Sequence, residues 1–156
     1  MDISTESGLK MLLCRAGSLV CGLRIESVAE TMRPLPIEPI SGMPEFVSGL
    51  SIVRGAPVPV VDLARLLGDE SDTQPGRFVV VKTDARRVVL AVSEVTGLRT
   101  LDAKSFGGLP PLLQGARADL VSAVGSLDAQ LLLVLESGRV LPDSAWSKLR
   151  AAGVET

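Results

Sequence analysis

Side chains able to do chemistry are few in this 156-residue sequence, and their types narrow the chemistry quickly. There is no histidine and no tyrosine, which removes the commonest general base, the commonest metal ligand and one common acid. Glycine loops that cradle phosphates, the Gly-x-Ser-x-Gly elbow, the His-Glu-x-x-His helix and Cys-x-x-Cys pairs are all absent. Carboxylates remain, but Glu45, Asp69, Glu70 and Asp72 sit in no catalytic motif and read as solvated loop charges. The residue types argue against catalysis and offer no ligand set for a metal or cofactor.

Two cysteines and one arginine stand out. Cys14 and Cys21 flank "RAGSLV"; if Gly17-Ser18 is a two-residue hairpin turn, they face each other across it. Counting outward from the turn makes them a hydrogen-bonded pair, whose wider Cα separation suits a disulfide poorly. They read as buried thiols acting as small hydrophobes in a reducing compartment. Arg54 lies between an apolar segment and the run "PVPVVDL", with Gly55 at the natural position for a positive φ. Pro57 and Pro59 are two apart in that run, so both silence donors along the same side of a strand, and that edge cannot be fully paired. Arg54 has a structural reading, a snorkelling side chain paired with a carboxylate such as Asp62, and an interface reading, a cation at the rim of an apolar groove.

These residues need a scaffold, and the apolar pattern supplies one. Runs of four to eight apolar residues recur between Gly, Pro, Asp and Ser, the spacing of an all-β domain. "KMLLCRA" and "LVCGLRI" flank Gly17-Ser18, "RFVVVKT" and "RRVVLAVSEV" flank Asp84-Ala85, and "LVSAVGSL" and "QLLLVLE" flank Asp128-Ala129, each pair predicting a hairpin. Asp62 reads as the N-cap of a short helix "LARLL" ending at Gly68. The segment "PDSAWSKLRAAG" predicts a C-terminal amphipathic helix capped by Asp143 or Ser144, with Trp146, Leu149 and Ala152 on its buried face. "RPLPIEPISGMPEFVSG" predicts an extended crossover with a short helical turn over 44–47, and "GDESDTQPG" an exposed, disordered loop. No repeat with a solenoid period is present.

Composition bounds the rest. Hydrophobic residues make up 46% but aromatics only 3%, so the core must be built from Val, Leu, Ile and Ala, which favours strands. A net charge of -2 with no basic stripe argues against nucleic acid. Apolar runs such as "LLLVL" fall far short of the roughly 18 residues of a spanning helix, and the start "MDISTESGLK" lacks the pattern of a secretory signal. The expectation is a soluble, cytoplasmic protein with no direct membrane insertion.

The stretch over 21–67, "CGLRIESVAETMRPLPIEPISGMPEFVSGLSIVRGAPVPVVDLARLL", resembles the CheW domain of bacterial chemosensory systems, matching at Gly22, Ile25, Val28, Glu30, Pro44, Gly49, Arg54, Gly55, Pro59, Asp62 and Leu63 in order and spacing. "RRVVLAVSEVTGLRTL" and "DLVSAVGSLDAQLLLVLESGRVL" extend the resemblance. It implies two intertwined, packed five-stranded SH3-like β-barrels with a C-terminal helix, forming one domain over 9–150 between a flexible 1–8 and a tail at 151–156. It further implies an adaptor without enzymatic activity or cofactor. Such an adaptor couples the cytoplasmic tip of a methyl-accepting chemoreceptor to the regulatory domain of a CheA-type histidine kinase, and is recruited to receptor arrays. Carried over by position, Val28, Glu30, Gly49, Ile52, Arg54 and Gly55 belong to the receptor groove, and Val58, Val60, Val92 and Val95 to the kinase-facing strand edges. The chain departs from the family pattern at Ile52, where asparagine is usual, at Val92-Ser93, where Val-Asp is usual, and at Cys21, which replaces an aromatic; lost polar partners should leave the turns near Arg54 and Val95 differently braced. Two alternatives stay open, an accessory that binds receptor but not kinase, and a peptide- or ligand-binding barrel unrelated to signalling.

Overall fold

The computed structural model describes residues 8–69, 74–83, 85–102, 121–127 and 130–154. Ten strands form two five-stranded sheets. They are β1 (Gly8–Ala16), β2 (Leu19–Arg24), β3 (Val28–Met32), β4 (Val47–Val53), β5 (Ala56–Asp62), β6 (Arg77–Thr83), β7 (Arg86–Val92), β8 (Glu94–Asp102), β9 (Val121–Leu127) and β10 (Gln130–Leu135). The short helix α1 (Leu63–Leu66) follows β5, and α2 (Asp143–Ala151) closes the described chain. The first sheet runs β8-β1-β2-β10-β9 and the second β3-β6-β7-β5-β4. The all-β reading holds.

The two sheets are one design used twice with strands exchanged. Advancing every strand of the first sheet by five positions reproduces the second, including its single parallel pair, β2 with β10 in one and β7 with β5 in the other. Even the bulges correspond. Ala29 is the extra residue between β3 and β6, as Thr96 is between β8 and β1. Ser48 is the extra residue between β4 and β5, as Ser122 is between β9 and β10. Each half of the chain thus gives a hairpin to one sheet and three strands to the other.

Such a layout explains the uninterrupted valine and leucine runs. Along β6, Val79 and Val81 join a core shared by both sheets, while Phe78 and Val80 pack into a cluster confined to the second sheet with Val53, Val58, Val60, Val89 and Ala91. Along β10, Leu133 and Leu135 join the shared core, and Leu132 and Val134 pack with Met11, Leu13 and Val20 in a cluster confined to the first. A strand buried on both faces has no polar alternation to show.

The three hairpins form as turn chemistry predicts, although Asp84, Asp128 and Ala129 lie outside the described residues, as do 70–73 of the polar loop. Asp62 caps α1, its side chain accepting from the Arg65 amide at 3.3 Å. The helical turn expected over 44–47 is a single bond from the Val47 amide to the Pro44 carbonyl, 2.9 Å. In α2, Pro142 rather than Asp143 or Ser144 holds the N-cap position, and Asp143 is the first helical residue, where its charge favours the helix dipole. Trp146 and Leu149 are buried as expected, but Ala152 is exposed; Val154, just past the helix, is buried instead. Among the described residues no helix is long and apolar enough to cross a membrane.

Candidate functional site: the Arg54 clasp

The β4–β5 hairpin turns on Arg54 and Gly55, with φ of 53° and 83°. Two positive φ values define the primed turn whose twist suits adjoining strands. Gly55 adopts this freely, whereas Arg54 is the only non-glycine residue among those described to do so, and a side chain there is normally disfavoured.

What holds Arg54 is Glu30. The guanidinium donates from Nη2 to Oε1 at 2.7 Å and from Nε to Oε2 at 3.1 Å, the two-pronged geometry in which arginine and carboxylate match best. Asp62, the partner expected from sequence, is occupied with the Arg65 amide and does not pair with Arg54. The hydrogen bond from Arg54, reinforced by its charge and that of Arg87, holds the Glu30 carboxyl below its ordinary value, and the same bond raises the arginine. Glu30 sits on β3 and Arg54 at the end of β4, the two opposite edge strands of one sheet. A five-stranded sheet whose edges meet must be rolled, and this ion pair clasps the roll. The bulge at Ala29 changes the facing of β3 immediately before Glu30.

The crossover after β3 completes the closure. Glu38 and Leu50 exchange amide-to-carbonyl bonds of 2.8 Å in both directions, and the Ser51 hydroxyl donates to the Pro36 carbonyl at 2.8 Å. Gly49 makes this approach possible: at φ 148°, an added Cβ would lie 2.8 Å from the Glu38 carbonyl carbon. Because Leu50 bonds outward, its β5 partner Pro59 occupies a non-hydrogen-bonded position, as does Pro57 opposite Ile52. Pairing of β7 with β5 covers only Val60, Val61 and Asp62, so both prolines lie beyond its reach. The proline-bearing edge is unpaired, as expected, and Ile52 lies on the outer edge with 63% of its surface exposed.

The expected groove residues therefore separate into roles. Glu30 and Arg54 touch, Gly55 completes the turn, Ile52 is exposed nearby along β4, Gly49 is buried against the crossover, and Val28 is half-buried on the shared core. Of the four valines expected at kinase-facing edges, Val58, Val60 and Val92 are buried, so their side chains fill the interior; Val95 is partly buried against the shared core. A continuous apolar run does not reveal which of its residues face outward when both faces are covered. Glu38, Pro36 and Ser51 escaped sequence reading, since their pairing depends on where the crossover returns.

Ser93, at one of the departures from the family pattern, is bonded to the first sheet. Ser93 accepts from the Gly17 amide at 3.1 Å, and its own amide donates to the Arg15 carbonyl at 2.8 Å, so it ties β7 to the β1–β2 turn. Asp69 is more than a solvated charge, since it accepts from the Ser18 amide at 2.8 Å and hydroxyl at 2.7 Å. Glu45 pairs with Arg65 at 3.1 Å on the surface, and Glu70 and Asp72 lie outside the described residues. Cys14 and Cys21 are direct cross-strand partners, both buried and free, and the contact with Cys14 together with burial pushes the Cys21 thiol up. Among the described residues no cluster of three or more His, Cys, Asp or Glu side chains could hold a metal ion.

Comparison with known proteins agrees with this architecture. The chain is 32% identical over 126 residues to protein FrzA of Myxococcus xanthus, covering 76% of this chain and 78% of that protein. It is 24% identical over 140 residues to the chemotaxis protein CheW of Rhizobium meliloti, covering 88% and 90%. The crystal structure of the scaffolding protein TtCheW from Thermoanaerobacter tengcongensis superposes with a TM-score of 0.80 at 20% identity, over 93% of this chain and 95% of that one. The model of the CheW-like domain matches residues 10–145. With two five-stranded sheets of exchanged strands and a family match over most of its length, the chain belongs to the CheW-like domain family, the adaptors and scaffolds of chemotaxis signalling.

Proposed function

We propose that this chain is a non-enzymatic adaptor coupling the cytoplasmic tip of methyl-accepting chemoreceptors to a CheA-type histidine kinase, working in the cytoplasm at receptor arrays. The observation that carries the reading is the Arg54 clasp. A two-pronged ion pair fixes a cationic turn in a backbone conformation unfavourable to a side chain, beside the exposed Ile52. A rigid arginine next to an apolar residue suits protein recognition better than catalysis. The receptor surface comprises Val28, Glu30, Gly49, Ile52, Arg54 and Gly55, with Gly49 and Val28 shaping it from beneath. Arg54→Glu should abolish pull-down by a receptor-tip fragment while the protein stays folded; undiminished capture would remove this surface from the receptor contact.

The kinase contact uses backbone along strand edges, near Val95 with Val92 buried in the same shared core, and along β5 with Val58 and Val60 buried in the second sheet's own cluster. The burial of those three side chains also favours a second reading, an accessory that binds receptor and leaves the kinase uncontacted. Reconstituted arrays separate the two: a coupler raises kinase activity when added to receptor and kinase, whereas an accessory co-sediments with receptor fragments and leaves that activity unchanged.

A further inference from the structure

Away from the clasp, a cavity of about 110 Å³ opens where the segment leaving the first sheet packs on the second. Its walls are Val81 of β6, Val88 of β7, Leu141 and Trp146, and it is completed by Arg86 and Ser137. Two polar groups in it are under-used. Ser137 is only 7% exposed, and its hydroxyl has no hydrogen-bond partner among the described residues. A native protein seldom leaves a buried hydroxyl in that state unless something else meets it. The Arg86 guanidinium lies 4.8 Å from the centre of the Trp146 ring, and among the described residues its ion-pair partner, the fully exposed Asp143, reaches it only at 4.0 Å.

The geometry points to a binding site for a short aliphatic monocarboxylate of three or four carbons. The guanidinium fork takes the carboxylate, as its planar donors match two oxygens. The Ser137 hydroxyl donates to the same group, and the hydrocarbon tail lies against Val81, Val88, Leu141 and Trp146. The volume is several times the ~10–15 Å³ of cavity that one water needs, so it admits a handful of heavy atoms. A single arginine with Asp143 close by favours one negative charge over two. An occupant would touch β6 and β7 of the second sheet and the segment that follows β10 of the first.

Trp146 is the sole tryptophan, so its emission reads the cavity wall directly. Titrating the full chain with sodium butyrate should give a saturable emission change, accompanied by amide shifts at Ser137 and Gly138 in two-dimensional NMR. Butyramide, which has the same shape without the charge, and inorganic phosphate, which has charge without the tail, should each bind at least about tenfold more weakly, as expected for loss of a charged hydrogen-bonded pair or of buried apolar contact. Arg86→Gln should weaken butyrate by about tenfold or more, Arg86→Lys less, and Ser137→Ala severalfold. No saturation by butyrate at ~100 mM, far weaker than ordinary millimolar ligands, would overturn the site, as would equal responses to butyrate and phosphate or an unaltered affinity in Arg86→Gln. If Ser137→Ala binds butyrate as tightly as the parent, the hydroxyl has no part in recognition and the assignment fails at that residue.

Discussion

Replacing Gly49 with alanine tests the closure of the second sheet. The new methyl would run into the Glu38 carbonyl and come within 2.9 Å of Ile37 Cγ2, in a backbone conformation that side chains rarely adopt. Strain of that kind costs ~1–3 kcal/mol. Relief requires the crossover to lift from β4, which gives up the two 2.8 Å bonds between Glu38 and Leu50, each contributing about 1 kcal/mol. Alanine stiffens the unfolded chain and returns ~0.4–1 kcal/mol, so the net loss is about 3 kcal/mol. For a chain of this size that lowers Tm by ~6–12 °C. Calorimetry gives the shift, and hydrogen exchange gives its place: the Leu50 and Glu38 amides should lose protection selectively while those of β1 and β2 keep theirs. A Tm within ~2 °C of the parent, below even the least shift expected for 1 kcal/mol, together with unchanged protection at Leu50, would refute the proposition that the glycine is there to admit the crossover.

Glu30 should titrate by NMR below the ordinary glutamate value of 4.5 and return towards it in Arg54→Ala; a midpoint that ignores the arginine would show that the clasp does not persist in solution. Since the folded value is depressed, its stabilising contribution is present above the ordinary value and is lost as pH falls through the folded one. For Cys21 the sign is opposite. Its thiol is raised above the ordinary 9.0, so stability falls as pH rises past that value, and both thiols should react with an alkylating reagent only as fast as the protein unfolds; rapid labelling of the native state would contradict their burial. Phe78→Ala, which empties a fully buried site in the second sheet's own cluster, should cost ~3–5 kcal/mol, and denaturant unfolding showing a loss below ~1 kcal/mol would mean that cluster closes up around the gap.

Features set by neighbouring residues were legible in the sequence. The hairpin at Gly17-Ser18, the opposition of Cys14 and Cys21 and the capping of α1 by Asp62 each depend on spacings of a few residues, and each formed as expected. Features set by the rolling of a sheet were not. Glu30 lies 24 residues from Arg54, and only the meeting of two edge strands brings them together, so the nearer Asp62 looked the better partner. The burial of Val58, Val60 and Val92 was hidden for a related reason, since a strand covered on both sides carries no mark of which face is which. The duplication of the two sheets escaped because it lies in strand order and bulge position, with few shared residue identities to betray it.

The exchange of strands also sets an order of assembly during synthesis. Every strand of the second sheet lies between Val28 and Val92, so that sheet can be completed while the remainder of the chain is still being made. The first sheet cannot: the β1–β2 hairpin is synthesised first, yet its parallel neighbour β10 comes near the end. The β1 edge stands open until β8 is made and the β2 edge until β10 is made, the condition under which strands pair with the wrong chain. Growing chains are therefore at most risk of capturing one another through β1 and β2, and slowing synthesis after β7 would lengthen that exposure even though a complete sheet has already formed.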